Sequence, residues 1–264
     1  MKIILVSLII FAAGVSAQES TDIKPGYLAR KMIEVRDAQN DAVEDMVFDG
    51  YHFQQKIDGD GNITEKKEYR KKHYIAKIDD SLHVYEQYLE FMIDGEIQSA
   101  EETAKEAAKR REEKEKRGAR DLGYDFTIPL RMVYTGLYDL SYDGIADEPI
   151  DGYICYMLRC TAREENDSLI NCLYYVDTAS YHTVRVEFSP AKLVNVLVFK
   201  LSELSMAMNY KKYDDIIWVP HKFEINGRGK AAFFISVNFS GGETYSNPVI
   251  NGGVDSSLFL MHDN

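Results

Sequence analysis

Cysteine, proline and tryptophan are scarce in this chain: three, six and one among 264 residues. Three cysteines without a C-x-x-C spacing exclude a disulfide-dense scaffold and argue against a thioredoxin-like redox centre or a structural zinc site. No apolar run after residue 15 approaches the ~20 residues of a spanning helix, which removes the polytopic membrane proteins. Positive charge is also in deficit. The 31 Lys+Arg stand against 43 Asp+Glu, a net charge of -12, whereas nucleic-acid binding needs a basic surface that releases counterions. G-x-S-x-G, H-E-x-x-H and P-loop patterns are missing, and the six histidines, at 52, 73, 83, 182, 221 and 262, show no metal-ligand spacing. Motifs therefore name no catalytic residue, no cofactor and no metal. The visible acid pairs, Asp147-Glu148 and Asp214-Asp215, read as turn or surface residues, because neighbours in an extended chain point apart.

What the chain does contain is a hydrophobic fraction of 45%, with 18 Tyr and 12 Phe, enough for a folded core and biased towards strands. Residues 1–17 read as a signal peptide. Lys2 is the charged start, Ile3 to Val15 the apolar stretch, and Val15-Ser16-Ala17 the small residues before Gln18. No Cys follows the cleavage point, so the expected product is exported to the periplasm without a lipid anchor. Residues 18–264 then read as a single domain. Export permits disulfides. A hairpin about the polar turn Arg163 to Ser168 sets Cys160 opposite Cys172, either as a bridge or, with Cys155, as buried reduced thiols.

The mature chain opens on a helix over about 22–40, capped at Thr21 or Asp22, with Pro25 in its first turn and Leu28, Met32, Val35 and Ala38 on one face. Period two follows: Tyr51, Phe53 and Ile57 alternate with His52, Gln54 and Lys56 up to the turn Asp58 to Asn62. Asp58, Asp60 and Asn62 match the first positions of a calcium loop. Ile63 and Tyr69, however, stand where its Gly and bidentate Glu are needed, so a hairpin turn is expected. Further strands are expected over Tyr69–Ile78 and Leu82–Ile93. Ser99 and Glu102 form a capping box for a charged helix running to about Arg117 and stopped by Gly118. Its only apolar residues are alanines, which makes it a solvated rim helix and not a core one.

From residue 123 strands predominate. Ile128, Leu130, Met132, Tyr134, Tyr138, Leu140 and Tyr142 keep one parity, with a bulge expected at Gly136. Tyr153–Leu158, Leu173–Val176, Tyr181–Phe188, Leu193–Leu201, the alternating Leu204, Met206, Met208 and Tyr210, Ile217–Ile225 and Phe233–Phe239 follow. The turns between them, at Asp177 to Ser180 and Asn226 to Gly229, are short and imply antiparallel hairpins. The expected fold is mainly β (α+β): one strongly curved antiparallel sheet, half-open as a barrel, with the N-terminal helix as lid and the charged helix at its rim. Candidate cavity-lining residues are Leu130, Met132, Tyr134, Met206, Met208 and Trp218, since thioethers and rings adapt to apolar ligands.

The segment IIWVPHKFEINGRGKAAFFISVNFSGGETYSN, preceded by YYVDTASYHTVRVEF, resembles the C-terminal strands of periplasmic outer-membrane lipoprotein-sorting (LolA-like) proteins. A D-x-x-T/S turn, a W-x-P strand and a closing strand pair carry the likeness through Asp177, Arg185, Glu187, Trp218, Pro220, Phe239 and Tyr245. The charged helix resembles an insertion found in uncharacterised members of that group. The resemblance implies a half-open barrel closed by helices that carries lipid or lipoprotein acyl chains, with a membrane donor or acceptor protein as partner and no catalysis. Two other classes fit the residues: an envelope interaction protein using the charged arm and an open sheet edge, and an exported hydrolase without a recognisable motif.

Overall fold

The structure is a computed structural model and describes residues 23–260 except 80, 117–125, 167, 194, 197–198 and 232–234. The signal peptide, the Thr21 or Asp22 cap and the Gly118 stop lie outside the described residues. Helix α1 (Pro25–Ala42) leads into β1 (Asp45–Ile57), β2 (Ile63–Ile78), β3 (Ser81–Ile93) and the short β4 (Glu96–Ile97). Helices α2 (Ala100–Lys116) and α3 (Ile128–Arg131) separate this meander from β5 (Tyr138–Ile145), β6 (Cys155–Ala162), β7 (Ile170–Asp177) and β8 (Thr183–Pro190). The short β9 (Asn195–Val196), then β10 (Phe199–Lys212), β11 (Trp218–Ala231), β12 (Ile235–Ile250) and α4 (Ser257–Leu260) complete the chain.

The twelve strands of the described residues join one antiparallel sheet in the order β4-β3-β2-β1-β12-β11-β10-β8-β7-β6-β5, with β9 added on β10. Neighbours in sequence pair as hairpins, as the short turns require. The sheet is made whole by β1 pairing with β12, from Met46 opposite Ile250 to Ile57 opposite Asn238, a contact between the two ends of the chain. The ladder runs as an open path with edges at β4 and β5.

Local chemistry explains where the elements begin and end. The Asp58 carboxylate accepts the amides of Asp60 and Asn62 at 2.9 and 2.8 Å and closes the β1–β2 hairpin. Ser99 Oγ accepts the Glu102 amide at 3.2 Å while Glu102 reaches back to the Ser99 amide at 3.3 Å, so the capping box forms as read. Cys160 lies directly opposite Cys172. Both are buried free thiols, and burial pushes each up to about 12.

Four expectations need correction. Residues 128–135 are not a strand: Pro129 sits in the first turn of α3, a 3-10 turn continues over Met132–Thr135, and Gly136 at φ 80° ends it as a left-handed cap, not a bulge. The Asn226 to Gly229 segment is not a turn, because β11 continues through it, pairing Gly227 with Phe239 and Gly229 with Val237. On α1 the buried set is Leu28, Ala29, Met32 and Gln39, and Ala38 faces solvent. Strand β12 does not stop at Phe239. It runs through Gly241 and Gly242, where a Cβ on Gly242 would stand 2.6 Å from the Phe223 carbonyl oxygen of the neighbouring strand. Gly242→Ala should therefore push β11 and β12 apart and cost about 1–3 kcal/mol, read as a lowered urea midpoint with an unchanged m-value.

Candidate functional site

Residues directly opposite each other in a sheet share a face. Leu158, Tyr174, Val186, Met208 and Phe223 are linked in this way across β6, β7, β8, β10 and β11. The same face continues through Glu243 on β12, His52 on β1, and Tyr69 on β2. Its chemistry changes at β12. From β5 to β11 it is apolar, and from β12 onward it carries Glu243, His52, Lys71, His73 and Glu86.

Helix α1 covers the apolar half. Leu28, Ala29 and Met32 enter the core cluster that holds Leu158, Tyr174, Val184 and Tyr210. Gln39, 4% exposed, closes the far end of the helix in an unusual way: its Nε2 donates to the Trp218 carbonyl at 3.1 Å, and its Oε1 accepts the Trp218 amide at 2.9 Å. The side-chain amide thus takes the place of a further strand at the start of β11. On the outside, Arg131 of α3 grips Asp37 with two nitrogens, an ion pair exposed enough to contribute little. Between helix and sheet lies a cavity of about 30 Å³, lined by Met32, Arg36, Phe126, His182, Tyr210 and Trp218 among others. His182 stacks on Trp218 with the rings 5.4 Å apart and 13° from parallel. The turn that presents His182 is folded by Asp177, whose carboxylate accepts the Ser180 amide at 3.0 Å and hydroxyl at 2.6 Å.

Of the candidate residues, Trp218 lines this cavity and Met208 lies buried on the same sheet face. Leu130 is buried in the core from α3, Met132 packs against that core half-buried, and Tyr134 is 81% exposed. Met206 shares its face with Phe188 and Ile225. The helical turns over 128–135 are what separate Met132 and Tyr134 from the strand row. Gln39, His182 and Arg36 were passed over because a polar residue on a helix or before a strand carries no periodic signal. On the opposite face a groove of about 500 Å³ is walled by Arg159, Arg185, Glu187, Glu224 and Asn226. There Arg185 is already engaged by Glu187 and Asn209, each at 3.0 Å.

The polar half is a buried ionic cluster. Glu243 is met by Lys71 at 3.1 Å, His73 Nε2 at 2.5 Å and His52 Nδ1 at 3.5 Å, while Glu86 reaches Lys71 at 2.9 Å and His73 Nδ1 at 3.5 Å. Gly50 makes room for it, since a Cβ there would stand 2.7 Å from both Glu243 Oε1 and His73 Nε2. Of the two alternating sets on β1, His52 and Gln54 take the covered face. Helix α2 covers this half with polar groups: Arg110 lies 4.0 Å over the Tyr69 ring and donates to Gln54 at 3.1 Å, and Tyr69 donates to Glu106 at 3.1 Å. Thr103 and Ala107 are buried against the sheet. A helix with only alanines for apolar residues can dock here because the surface beneath it is polar.

No family model matches this chain, and no curated protein matches it. Solved structures do. Its structural neighbours are LolA-superfamily, lipoprotein-sorting and DUF1329 proteins. A putative outer membrane lipoprotein-sorting protein domain from Vibrio parahaemolyticus is 11% identical, with 88% of this chain and 97% of that one covered at a TM-score of 0.40. A DUF1329 family protein from Desulfovibrio piger is 14% identical over 89% and 95%, TM-score 0.37. A LolA superfamily protein from Nitrosomonas europaea is 12% identical over 90% and 97%, TM-score 0.34.

The ionic cluster makes stability depend on pH in a defined window. Burial alone would raise Glu243, but Lys71, His52 and His73 outweigh it and hold the carboxyl far below its ordinary 4.5. Burial alone would lower Lys71, but Glu243 and Glu86 outweigh it and hold the ammonium above its ordinary 10.5. The carboxylate's contribution is thus complete above about pH 4.5 and lost as pH falls towards the depressed folded value. The ammonium's contribution is complete below about pH 10.5 and lost as pH rises through the raised one. Glu243→Gln, which leaves the buried Lys71 with Glu86 as its one carboxylate partner in the cluster, should cost about 3–5 kcal/mol in urea titrations at pH 7. The gap to the unchanged protein should narrow steadily at pH values below about 4.5.

Proposed function

We propose that this chain is a non-enzymatic periplasmic carrier, exported by residues 1–17, that holds lipid or lipoprotein acyl chains against the apolar half of its sheet beneath α1. In this reading residues 18–264 act as one unit that exchanges its cargo with a membrane donor or acceptor protein. The observation that carries the reading is the seam under α1: a continuous apolar sheet face covered by this helix, with Phe126, and Leu130 of α3, packed beside it. Among the described residues α1 is held by Leu28, Ala29 and Met32 in the core with Ile33 packed beside them, the Tyr27 ring edge-on to Tyr181, the Gln39 amide on the Trp218 backbone, and the exposed Asp37–Arg131 pair.

Magnitudes favour a lid that moves. A cavity of about 30 Å³ is far below the roughly 300 Å³ at which ligand pockets begin, so a ligand enters only if α1 lifts. Re-exposing Leu28 and Met32 costs about 3–6 kcal/mol, and the two Gln39 bonds add about 1 kcal/mol each. A buried methylene returns about 0.8 kcal/mol, so roughly ten methylenes of an acyl chain offset the opening. The D-x-x-S turn and W-x-P strand of the lipoprotein-sorting pattern both fall at this seam, where Asp177 folds the turn before His182 and Trp218 receives Gln39.

Two measurements test the reading. Native mass spectrometry of protein purified from an envelope extract should show copies carrying lipid mass, and protein free of lipid throughout argues against it. Gln39→Leu, which keeps the helix face filled but releases Trp218, should speed uptake of a fluorescent fatty acid several-fold, whereas an unchanged rate means that α1 is not the lid.

A further inference from the structure

We propose that the seam under α1 also recognises the polar end of its acyl ligand, a carboxylate or an ester, through the indole N–H of Trp218 and the imidazole of His182. The proposal rests on the carrier reading and adds the chemistry at the end of the chain. Trp218 is 3% exposed, and its Nε1 finds no hydrogen-bond partner among the described residues. His182 is 8% exposed, and its ring nitrogens lie near the Ile216 and Ser180 backbone without a bond of acceptable geometry. A buried donor left unpaired costs about 1–3 kcal/mol, so two adjacent rings with orphaned nitrogens in one cavity wall call for a partner.

The kind of partner follows from the groups. An indole N–H can only donate, so what meets it must accept. Burial lowers the His182 pKa, which keeps the imidazole neutral with one donor and one acceptor nitrogen. Arg36 stands in the same wall, and among the described residues no carboxylate lines the cavity. The nearest acid in the turn, Asp177, is engaged with Ser180. Donor nitrogens with no acid among the described residues suit an acceptor or an anion and oppose an ammonium. The remaining wall, Met32, Val35, Phe126 and Tyr210, suits the methylenes that follow.

The test uses the full processed chain and three probes of equal length, palmitate, methyl palmitate and hexadecylamine, each displacing a bound hydrophobic dye. Palmitate and its ester should bind about tenfold more tightly than the amine. Trp218→Phe and His182→Phe should each weaken palmitate and the ester about five- to tenfold and leave the amine and the dye nearly unchanged, as one lost hydrogen bond predicts. His182→Phe carries the test if Trp218→Phe does not fold. Palmitate ahead of its ester points to a free fatty acid as the source, and an ester equal or ahead points to acyl esters of a lipid or lipoprotein; both support the anchor. Equal binding of acid and amine, or an equal loss for every probe in folded variants, overturns the anchor and leaves the carrier reading standing. No displacement by any probe from the unsubstituted protein overturns both.

Discussion

The register of β12 between β1 and β11 is the constraint on which the remaining structure depends. It places Glu243 opposite His52 on one side and opposite Phe223 on the other, so one sheet face turns from apolar to ionic across a single strand. Each half then requires a cover of its own kind. The apolar half takes α1 through Leu28, Ala29 and Met32, and the ionic half takes α2 through Arg110 and Glu106. Exchanging the two helices would bury charge on hydrocarbon on one side and leave the cluster without polar partners on the other, each costing several kcal/mol.

The two covers differ in how firmly they hold. Beneath α2 the charges are paired, with Lys71 and Glu243 more than nine-tenths buried and Tyr69 tied to Arg110 and Glu106, although His52 Nδ1 stays 3.5 Å from Glu243. Beneath α1 the match is incomplete. A cavity remains, indole and imidazole nitrogens lack partners among the described residues, and the helix end is secured by one side-chain amide acting as a strand. Incomplete satisfaction is a poor design for a static core and a good one for a surface meant to exchange its cover for a ligand.

Much of the fold was legible in the residues. Capping boxes, Asx turns and period-two alternation are short-range, so Ser99 with Glu102, Asp58 with Asn62, and the sequence-adjacent hairpins could be read directly. The misreadings share a cause. Residues 128–135 alternate as a strand would, yet Pro129 and the left-handed Gly136 favour helical turns. Asn226 to Gly229 has turn composition, yet its glycines serve close packing inside a ladder, with the Phe239 ring lying where a Gly227 Cβ would be. Of the candidate site, Trp218 was found through its motif and Met208 through its parity. Gln39 and His182 were not, because their roles arise only across the helix–sheet seam.

By itself the amino-acid sequence determined a mainly β chain with two helices, an acid excess and no motif for catalysis. These are properties of composition, local propensity and periodicity, and they act within a few residues. Which face of β1 turns inward, why an alanine-only helix can dock, and where a ligand would find unpaired donors were decided by the tertiary structure. The physical reason is that burial, hydrogen bonding and ion pairing join groups far apart in sequence, such as Gln39 and Trp218, 179 residues apart, whose complementarity is invisible until the sheet is assembled.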